Sequence, residues 1–307
     1  MSNIKPWENK NILSANHAKE IINNNFPKIC IKSIKLLGEG WDNTTWIIND
    51  NLCFRFPKHE EAAKLLTNEI KVLSQLIKTN ISLPIPKNVC LAPKSFNYPF
   101  YYHDYINGVT SDRANLTSNE RMLLVVKLAS FLKELHSFPL DKCISLGIEY
   151  DQINRLNFKD RYLEFKERLE YLINRNVLSN DLNIKKFYES NMDISIPDFA
   201  TLCHGDLYAK HLIIDSNKDL HGIIDWGDSG LLHPAIDLAI VYQFLPKKAH
   251  SLFWSVYGDV ENHTHTIAIL RAIYSSTTIA WYAHQISDKY LFDEGILGLQ
   301  MINEIIS

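Results

Sequence analysis

Apolar and polar positions in the first hundred residues follow two periods in turn. Residues 14–24 carry apolar side chains at helical spacing, with Ser14 placed to cap the first turn. Strand-like runs follow at 29–37, 44–48 and 52–56, separated by Gly38-Glu39-Gly40 and Asn49-Asp50-Asn51. Short β-branched and aromatic runs joined by turn residues predict an antiparallel meander. Residues 59–77 return to the helical period, with Ala62, Leu65, Leu66, Leu73, Leu76 and Ile77 on one apolar face. Glu69 falls inside that face. A carboxylate there is costly unless paired, so the pattern predicts a cation facing it. Pro84, Pro86, Pro93 and Pro99 punctuate the next stretch, whose strand-like runs at 88–91 and 100–106 end at Asn107-Gly108.

Beyond that point the helical period dominates, at 121–135, 160–176, 234–244, 264–287 and 293–306. One hairpin interrupts it. The runs 212–214 and 220–224 flank Asp215-Ser216-Asn217-Lys218-Asp219, a polar turn cluster. A turn centred near Lys218 sets His211 opposite Asp225. The outline is an α+β chain of two lobes, residues 1–106 mainly antiparallel β and residues 107–307 mainly helical.

Composition narrows the function without naming it. At 307 residues, 46% hydrophobic and 22% charged, the chain has the make-up of a soluble globular protein. A net charge of −3 speaks against a nucleic-acid binder held by phosphate contacts. Five scattered cysteines without a CxxC pair fit reduced thiols. The first residues lack the apolar core of a signal peptide, and the most apolar stretch, 235–245, is broken by Asp237. The expectation is a cytoplasmic protein with no membrane partner, acting as a monomer or weak dimer.

The candidate chemistry lies around the hairpin. His204-Gly205-Asp206, with His211 five residues after Asp206, matches the H-x-D-x-x-x-x-N catalytic loop of kinases with histidine in the asparagine position. Asp225-Trp226-Gly227 matches D-F-G with Trp for Phe. A lone HGD triplet is usually a plain turn; the two blocks at this spacing are far more specific. A phosphoryl donor brings several negative charges, and the hard oxygens of Asp225 suit Mg²⁺, with His211 an unusual second ligand. Asp206 is placed to orient an acceptor hydroxyl and take its proton. His204 and Asp237 read as structural support, Asp237 by binding the catalytic-loop backbone.

The first lobe supplies the donor side. Gly38 and Gly40 sit in a strand–turn–strand setting that reads either as an ordinary hairpin turn or as a lid over phosphates; Gly-Lys-Ser/Thr of a Walker A loop is absent. In Phe54-Arg55-Phe56-Pro57-Lys58 strand alternation separates Arg55 from the two phenylalanines. Arg55 is therefore expected to meet Glu69 and the donor phosphates, against the plainer reading of a solvated edge-strand arginine. Backbone groups of Asp104, Tyr105 and Ile106 are expected at a purine edge, in a run whose aromatic side chains equally suit a strand core.

Together these residues resemble the aminoglycoside phosphotransferase family of kinase-like antibiotic-modifying enzymes. The resemblance spans nearly the whole chain, through GEGWDN, FRFP, NEI, HGDLYAKH, IDWGDS and HPAIDLA. Histidine at 211 is similar to the 2″-aminoglycoside and macrolide branches. The resemblance implies a bilobal protein-kinase-like fold, ATP or GTP as donor, Asp206 as base, and His211 and Asp225 as metal ligands. Arg55 departs from it, standing where many relatives have lysine. A planar fork in place of a compact ammonium alters the phosphate contact.

The expected activity is Mg²⁺-dependent transfer of the γ-phosphoryl of ATP or GTP to a small-molecule hydroxyl, on an aminoglycoside first of all. A cationic acceptor needs carboxylates; Asp228, Asp288, Asp293 and Glu294 are the candidates, with Trp281 as a packing surface, although acidic residues on helices are usually just solvated. A macrolide, choline or another metabolite is the alternative within the class. From other classes, a silent nucleotide-binding module and a His/Asp binuclear metallohydrolase stay open.

Overall fold

The computed structural model of the protein describes residues 13–40, 42–79, 81–94, 96–179 and 183–307. The chain separates into two compact units. The first takes the described residues before 81 together with Pro84–Asn107 and Asp225–Asp228. The second takes Ile81–Leu83 and the described residues of Gly108–Ile224 and Ser229–Ser307. Residues 225–228 were expected with the helical lobe; the structure gathers them with the β-rich unit instead, because Trp226 and Gly227 bond to a helix of that unit, as set out below.

In the first unit, α1 (Ala15–Asn25) begins at Ser14, whose hydroxyl accepts the His17 N–H. Five antiparallel strands follow: β1 (Ile34–Glu39), β2 (Asn43–Ile48), β3 (Leu52–Pro57), β4 (Cys90–Leu91) and β5 (Tyr101–Asp104). Their order is β1-β2-β3-β5-β4. Ala18, Ile21 and Ile22 of α1 pack with Trp46, Ile48, Phe54, Phe56 and Phe100. Strand alternation then sends Arg55 to the other face, toward α2 (Glu60–Leu76), which His59 caps.

The second unit is helical around two small sheets. Its strands are β6 (Val109–Thr110), β7 (Thr201–Cys203), β8 (Leu212–Ile214), β9 (Leu220–Ile223) and β10 (Gly230–Leu232). Two sheets form, β6-β8-β9 and β10-β7. Gly108 leads into β6 with φ +142°, and a Cβ there would lie 2.5 Å from the Ile214 carbonyl oxygen, so only glycine fits.

The helices are α3 (Ser118–Leu123), α4 (Val125–His136), α5 (Leu140–Ser145), α6 (Tyr162–Asn174), α7 (Ile184–Asn191), α8 (Ala235–Phe244), α9 (His250–Tyr257), α10 (Asn262–Gln285) and α11 (Lys289–Ile306). Every residue of α8 is buried. It forms the centre against which α10 and α11 pack. No helix among the described residues is long and apolar enough to cross a membrane.

The single helix expected over 121–135 is two, α3 and α4, with Leu124 between them. The first opens with a reciprocal capping box between Thr117 and Glu120. The short elements α5, α7, α9, β6, β7 and β10 were not anticipated.

Candidate active site

The loop after β7 is built around a buried aspartate. Asp237 lies in the first turn of α8 and accepts the backbone N–H of His204 at 2.7 Å and of Gly205 at 2.9 Å, one on each oxygen. His136 Nε2, from the end of α4, reaches Asp237 at 3.2 Å, and Tyr257 meets the other ring nitrogen at 2.7 Å. Burial acts to raise the Asp237 pKa, but the hydrogen bond and charge of His136, with His204 and the Gly205 N–H, outweigh it and hold the carboxyl below its ordinary value. Gly205 turns the chain at φ +87°, a conformation that favours glycine.

The two loop histidines are oriented by carbonyls. The ring nitrogen Nε2 of His204 faces the Ile224 carbonyl at 3.0 Å and therefore donates, while Nδ1 accepts the Asp206 N–H at 3.4 Å. His211 Nδ1 donates to the Asp206 carbonyl at 2.7 Å, which leaves the lone pair on Nε2. Asp206 itself keeps its side chain 39% exposed, so its carboxylate is partly accessible to solvent.

The hairpin forms with a shifted register. Leu212 pairs with Ile223 and Ile213 with Gly222, but an irregularity follows and Ile214 pairs with Leu220. The Ile224 N–H accordingly bonds the His211 carbonyl at 3.0 Å. His211 is thus opposite Ile224, not Asp225 as expected, because the turn centres on Asn217, where Ile214 pairs with Leu220, and the irregularity between Ile213 and Ile214 makes up only part of that shift. Asp225 is the next residue in the chain, and it has a positive φ, +68°.

In the first unit, Arg55 bridges two carboxylates. Its Nη1 lies 3.0 Å from Glu69 Oε1 and its Nη2 lies 2.6 Å from Asp225 Oδ1. Glu69 is fully buried and answers the unpaired-carboxylate problem raised by its place on α2's apolar face. Its Oε1 also accepts the Trp226 N–H at 3.1 Å, and Asn68 donates to the Gly227 carbonyl at 3.1 Å. Two adjacent residues of α2 therefore hold the Asp225-Trp226-Gly227 segment. Asp42, which the sequence reading passed over, shares this region electrostatically. Burial raises its pKa, His59 opposes the rise, and Asp228 and Asp225 add to it.

The glycine turn and the 104–106 segment are more specific than expected. Gly38 pairs with Thr45 just after a bulge, and a Cβ there would meet nothing within 4 Å among the described residues. Gly40 closes the turn through its N–H to Asn43, while Lys58 bonds the Gly40 carbonyl at 2.9 Å. Trp41 lies outside the described residues. The Asp104 N–H is taken by the Lys87 carbonyl, the Tyr105 N–H by Asn51 and the Asp104 carbonyl by His103 Nδ1. The donors expected at Asp104 and Tyr105 are thus already committed. Among the described residues the Ile106 N–H has no such partner.

A sequence model of the Phosphotransferase enzyme family (APH) matches residues 33–260, most of the chain and all of the site just described. The chain belongs to this family. It is a kinase-like phosphotransferase that acts on a hydroxyl group. Its fold is similar to the GDP and kanamycin complex of APH(2″)-IIIa, with a TM-score of 0.70 and 26% identity over 94% of this chain and 99% of that one. Macrolide 2′-phosphotransferase type I shares the fold at a TM-score of 0.60 and 18% identity, covering 94% and 98% of the two chains. A curated relative, the uncharacterized protein YcbJ of Bacillus subtilis (strain 168), is 40% identical over 47 residues, 15% of either chain.

The residues expected to hold a cationic acceptor are distributed otherwise in this phosphotransferase. Asp228 belongs to the first unit and shares the field of Asp42. Asp288 caps α11 and pairs with Arg113 at 2.7 Å. Asp293 pairs with Lys289, and Glu294 makes a two-pronged bond to the buried Arg121 at 2.6 and 2.7 Å. Trp281 lies under the Arg168 guanidinium at 5.0 Å. The carboxylates of 288, 293 and 294 therefore already carry cations. A cation the sequence reading missed, Arg271 on α10, interacts electrostatically with Asp206.

The His/Asp cluster expected of a binuclear metallohydrolase is not what forms. Among the described residues the one group with metal-ligand spacing is His136, Cys203 and Asp237. All three already hydrogen-bond within the protein, His136 and Asp237 to each other and Cys203 to the Leu232 carbonyl.

Proposed function

We propose that this phosphotransferase moves the γ-phosphoryl group of ATP or GTP, with Mg²⁺, to a hydroxyl of a small molecule. The observation that carries the reading is the loop geometry: Asp237 clamps two consecutive N–H groups so that Asp206, one residue on, presents an accessible carboxylate. Asp206 orients the hydroxyl and receives its proton as the phosphorus–oxygen bond forms. The rest of the rate comes from positioning and charge, since phosphoryl transfer asks little covalent chemistry of the protein.

The donor set suits a small hard cation. Asp225 offers carboxylate oxygen, and the His211 tautomer leaves an imidazole lone pair; Mg²⁺ commonly takes few protein ligands beside phosphate and water. When bound, the ion neutralises charge building on the donor phosphates. Arg55, anchored by Glu69, adds a fixed positive charge. GDP in the 26%-identical relative supports a nucleoside triphosphate as donor, and GTP as readily as ATP. Retention of both Asp206 and Asp225 favours an active enzyme over a silent nucleotide-binding module.

Kanamycin in the same relative supports an aminoglycoside acceptor, whereas the cations on Asp288, Asp293 and Glu294 remove its local support. The test is nucleoside diphosphate release with Mg²⁺ and ATP or GTP across a panel of hydroxylated acceptors, for the parent and Asp206→Asn. Turnover in the parent should fall about 100-fold or more in the variant, with nucleotide binding kept. Equal turnover in both proteins would remove Asp206 as the base.

A further inference from the structure

The charges around Arg55 are not balanced in favour of a polyanion. Its guanidinium is shared between Glu69 at 3.0 Å and Asp225 at 2.6 Å, one positive charge between two carboxylates. A nucleoside triphosphate brings several more negative charges. Arg55 therefore orders this part of the first unit but leaves it short of positive charge for such a ligand. The register of the sheet shows where a further cation can act. Gly38 on β1 lies opposite Thr45 on β2, and Thr45 lies opposite Arg55 on β3. Strands are spaced about 5 Å apart, so the glycine turn begins roughly 10 Å from Arg55 along one rung.

Lys58 stands at that turn, just past the end of β3. Its backbone N–H donates to the Asp42 carbonyl at 2.8 Å, and its Nζ donates to the Gly40 carbonyl at 2.9 Å. Both bonds go to neutral oxygens. The Asp42 carboxylate lies instead 3.3 Å from His59 Nε2. Lys35 and Lys64 pair with Asp50 and Glu61 at 2.8 and 2.7 Å, whereas among the described residues no carboxylate pairs with the Lys58 ammonium. An ammonium has three donors, and the Gly40 carbonyl takes one. Partly exposed, Lys58 keeps two donors and its whole charge for a ligand. The tether to Gly40 also settles in advance part of the side-chain ordering that binding would otherwise cost.

We infer that the Lys58 ammonium binds the phosphates of the donor nucleotide, supplying the compact cation that Arg55, held by Glu69 and Asp225, does not. The inference rests on the phosphotransferase reading above and adds a second cation to its donor site. Position separates phosphate from base. The 104–106 segment, read as the purine edge, lies at the other end of β3, where Asp104 is opposite Leu52. From Leu52 to Lys58 the chain spans roughly 20 Å if it stays extended. Lys58 therefore acts on phosphate and not on the base, and serves ATP and GTP alike.

The test titrates the full chain, with Mg²⁺, against a non-hydrolysable ATP or GTP analogue and against the matching nucleoside, by calorimetry at two salt concentrations. Lys58→Met should lower affinity for the analogue about tenfold and leave affinity for the nucleoside at the parental value. The fall in analogue affinity with added salt should be shallower in Lys58→Met than in the parent. Lys58→Gln keeps a donor for the Gly40 carbonyl without the charge and should behave like Lys58→Met; Lys58→Arg should restore most of the affinity. Melting temperatures near the parent show that the variants fold, as a change at a partly exposed side chain should allow. Parental analogue affinity in Lys58→Met, parental affinity in Lys58→Gln, or equal losses for analogue and nucleoside would each overturn the inference. A parent that binds no analogue strikes the phosphotransferase reading; a parent that binds it no tighter than Lys58→Met strikes only the inference.

Discussion

Arg55 holds Asp225 at 2.6 Å through Nη2 while its other arm is bonded to a carboxylate with no access to water. A lysine has one compact ammonium and cannot fork between the two. Arg55→Met strands Glu69 without its cation and is expected to cost about 3–5 kcal/mol, the usual penalty for breaking a buried pair from one side. Arg55→Lys should cost less than half of that and should loosen Asp225 more than Glu69. Denaturant unfolding of both variants checks this. Equal stability of Arg55→Met and the parent would show that the buried pair contributes nothing.

The pairing of Arg55 with Glu69 was legible because each departs from a local pattern. Glu69 breaks a 3.6-residue apolar face, and Arg55 alternates against two buried phenylalanines. The Ser14 cap was legible as a short-range relation between a side chain and nearby backbone, whereas Asp237, which holds backbone 32 and 33 residues away, was legible from its place in the HPAIDLA motif. The hairpin register was missed by one residue because the turn centres on Asn217 rather than Lys218 and the irregularity between Ile213 and Ile214 recovers only part of the difference, neither of which marks the hydrophobic pattern. Arg271 was missed because α10 is packed by α6, α8 and α11, and so has no clean polar face against which a misplaced arginine stands out. The ion pairs of Asp288 and Glu294 with Arg113 and Arg121 join residues more than 170 positions apart, beyond any local signal.

His211 is fixed by the Asp206 carbonyl so that Nε2 carries the lone pair. Imidazole suits borderline metals better than it suits Mg²⁺, whereas an amide oxygen suits Mg²⁺. His211→Asn should therefore retain turnover and lower the ratio of Mn²⁺-supported to Mg²⁺-supported rates. His211→Ala should raise the metal concentration needed for half-maximal rate by about tenfold or more. Metal titrations of initial rate measure both. An unchanged metal requirement in His211→Ala would take His211 out of the metal site.

Asp237 has two backbone donors and one histidine donor converging on its carboxylate, with no water access. Asp237→Asn replaces one acceptor oxygen by an amide that must face an N–H. The expected cost is about 3 kcal/mol or more, since a buried donor is left opposite another donor. The loop should lose its fixed shape as well, so kcat should fall while the KM for nucleotide, bound elsewhere, changes little. His136→Asn shortens the side chain and weakens its bonds to Asp237 and Tyr257 but leaves both backbone donors on Asp237, so its kcat should drop less. Thermal unfolding and initial-rate kinetics separate the two effects, and an Asp237→Asn enzyme with parental kcat would refute the clamp.

Acid stability has a sign that follows from two buried histidines. Burial pulls His103 down to about 4, against the bond to the Asp104 carbonyl, and burial with the charges of His263 and His136 pulls His233 down to about 4. In the unfolded chain both titrate near 6.5. As pH falls through 6.5 the unfolded state takes up protons first, so stability declines until about pH 4, where the folded histidines also protonate. Each contributes on the order of 3 kcal/mol across that window. His250 and His265, both lowered by burial, act in the same direction. The depressed Asp237 carboxyl adds its own loss only at lower pH, below its unfolded value, as it protonates in the fold. His103→Asn keeps a donor near the Asp104 carbonyl but removes the titration. It should flatten the fall in melting temperature between pH 6.5 and 4 relative to the parent and leave the loss below pH 4 in place; a parental slope in that variant would mean His103 is protonated within the fold.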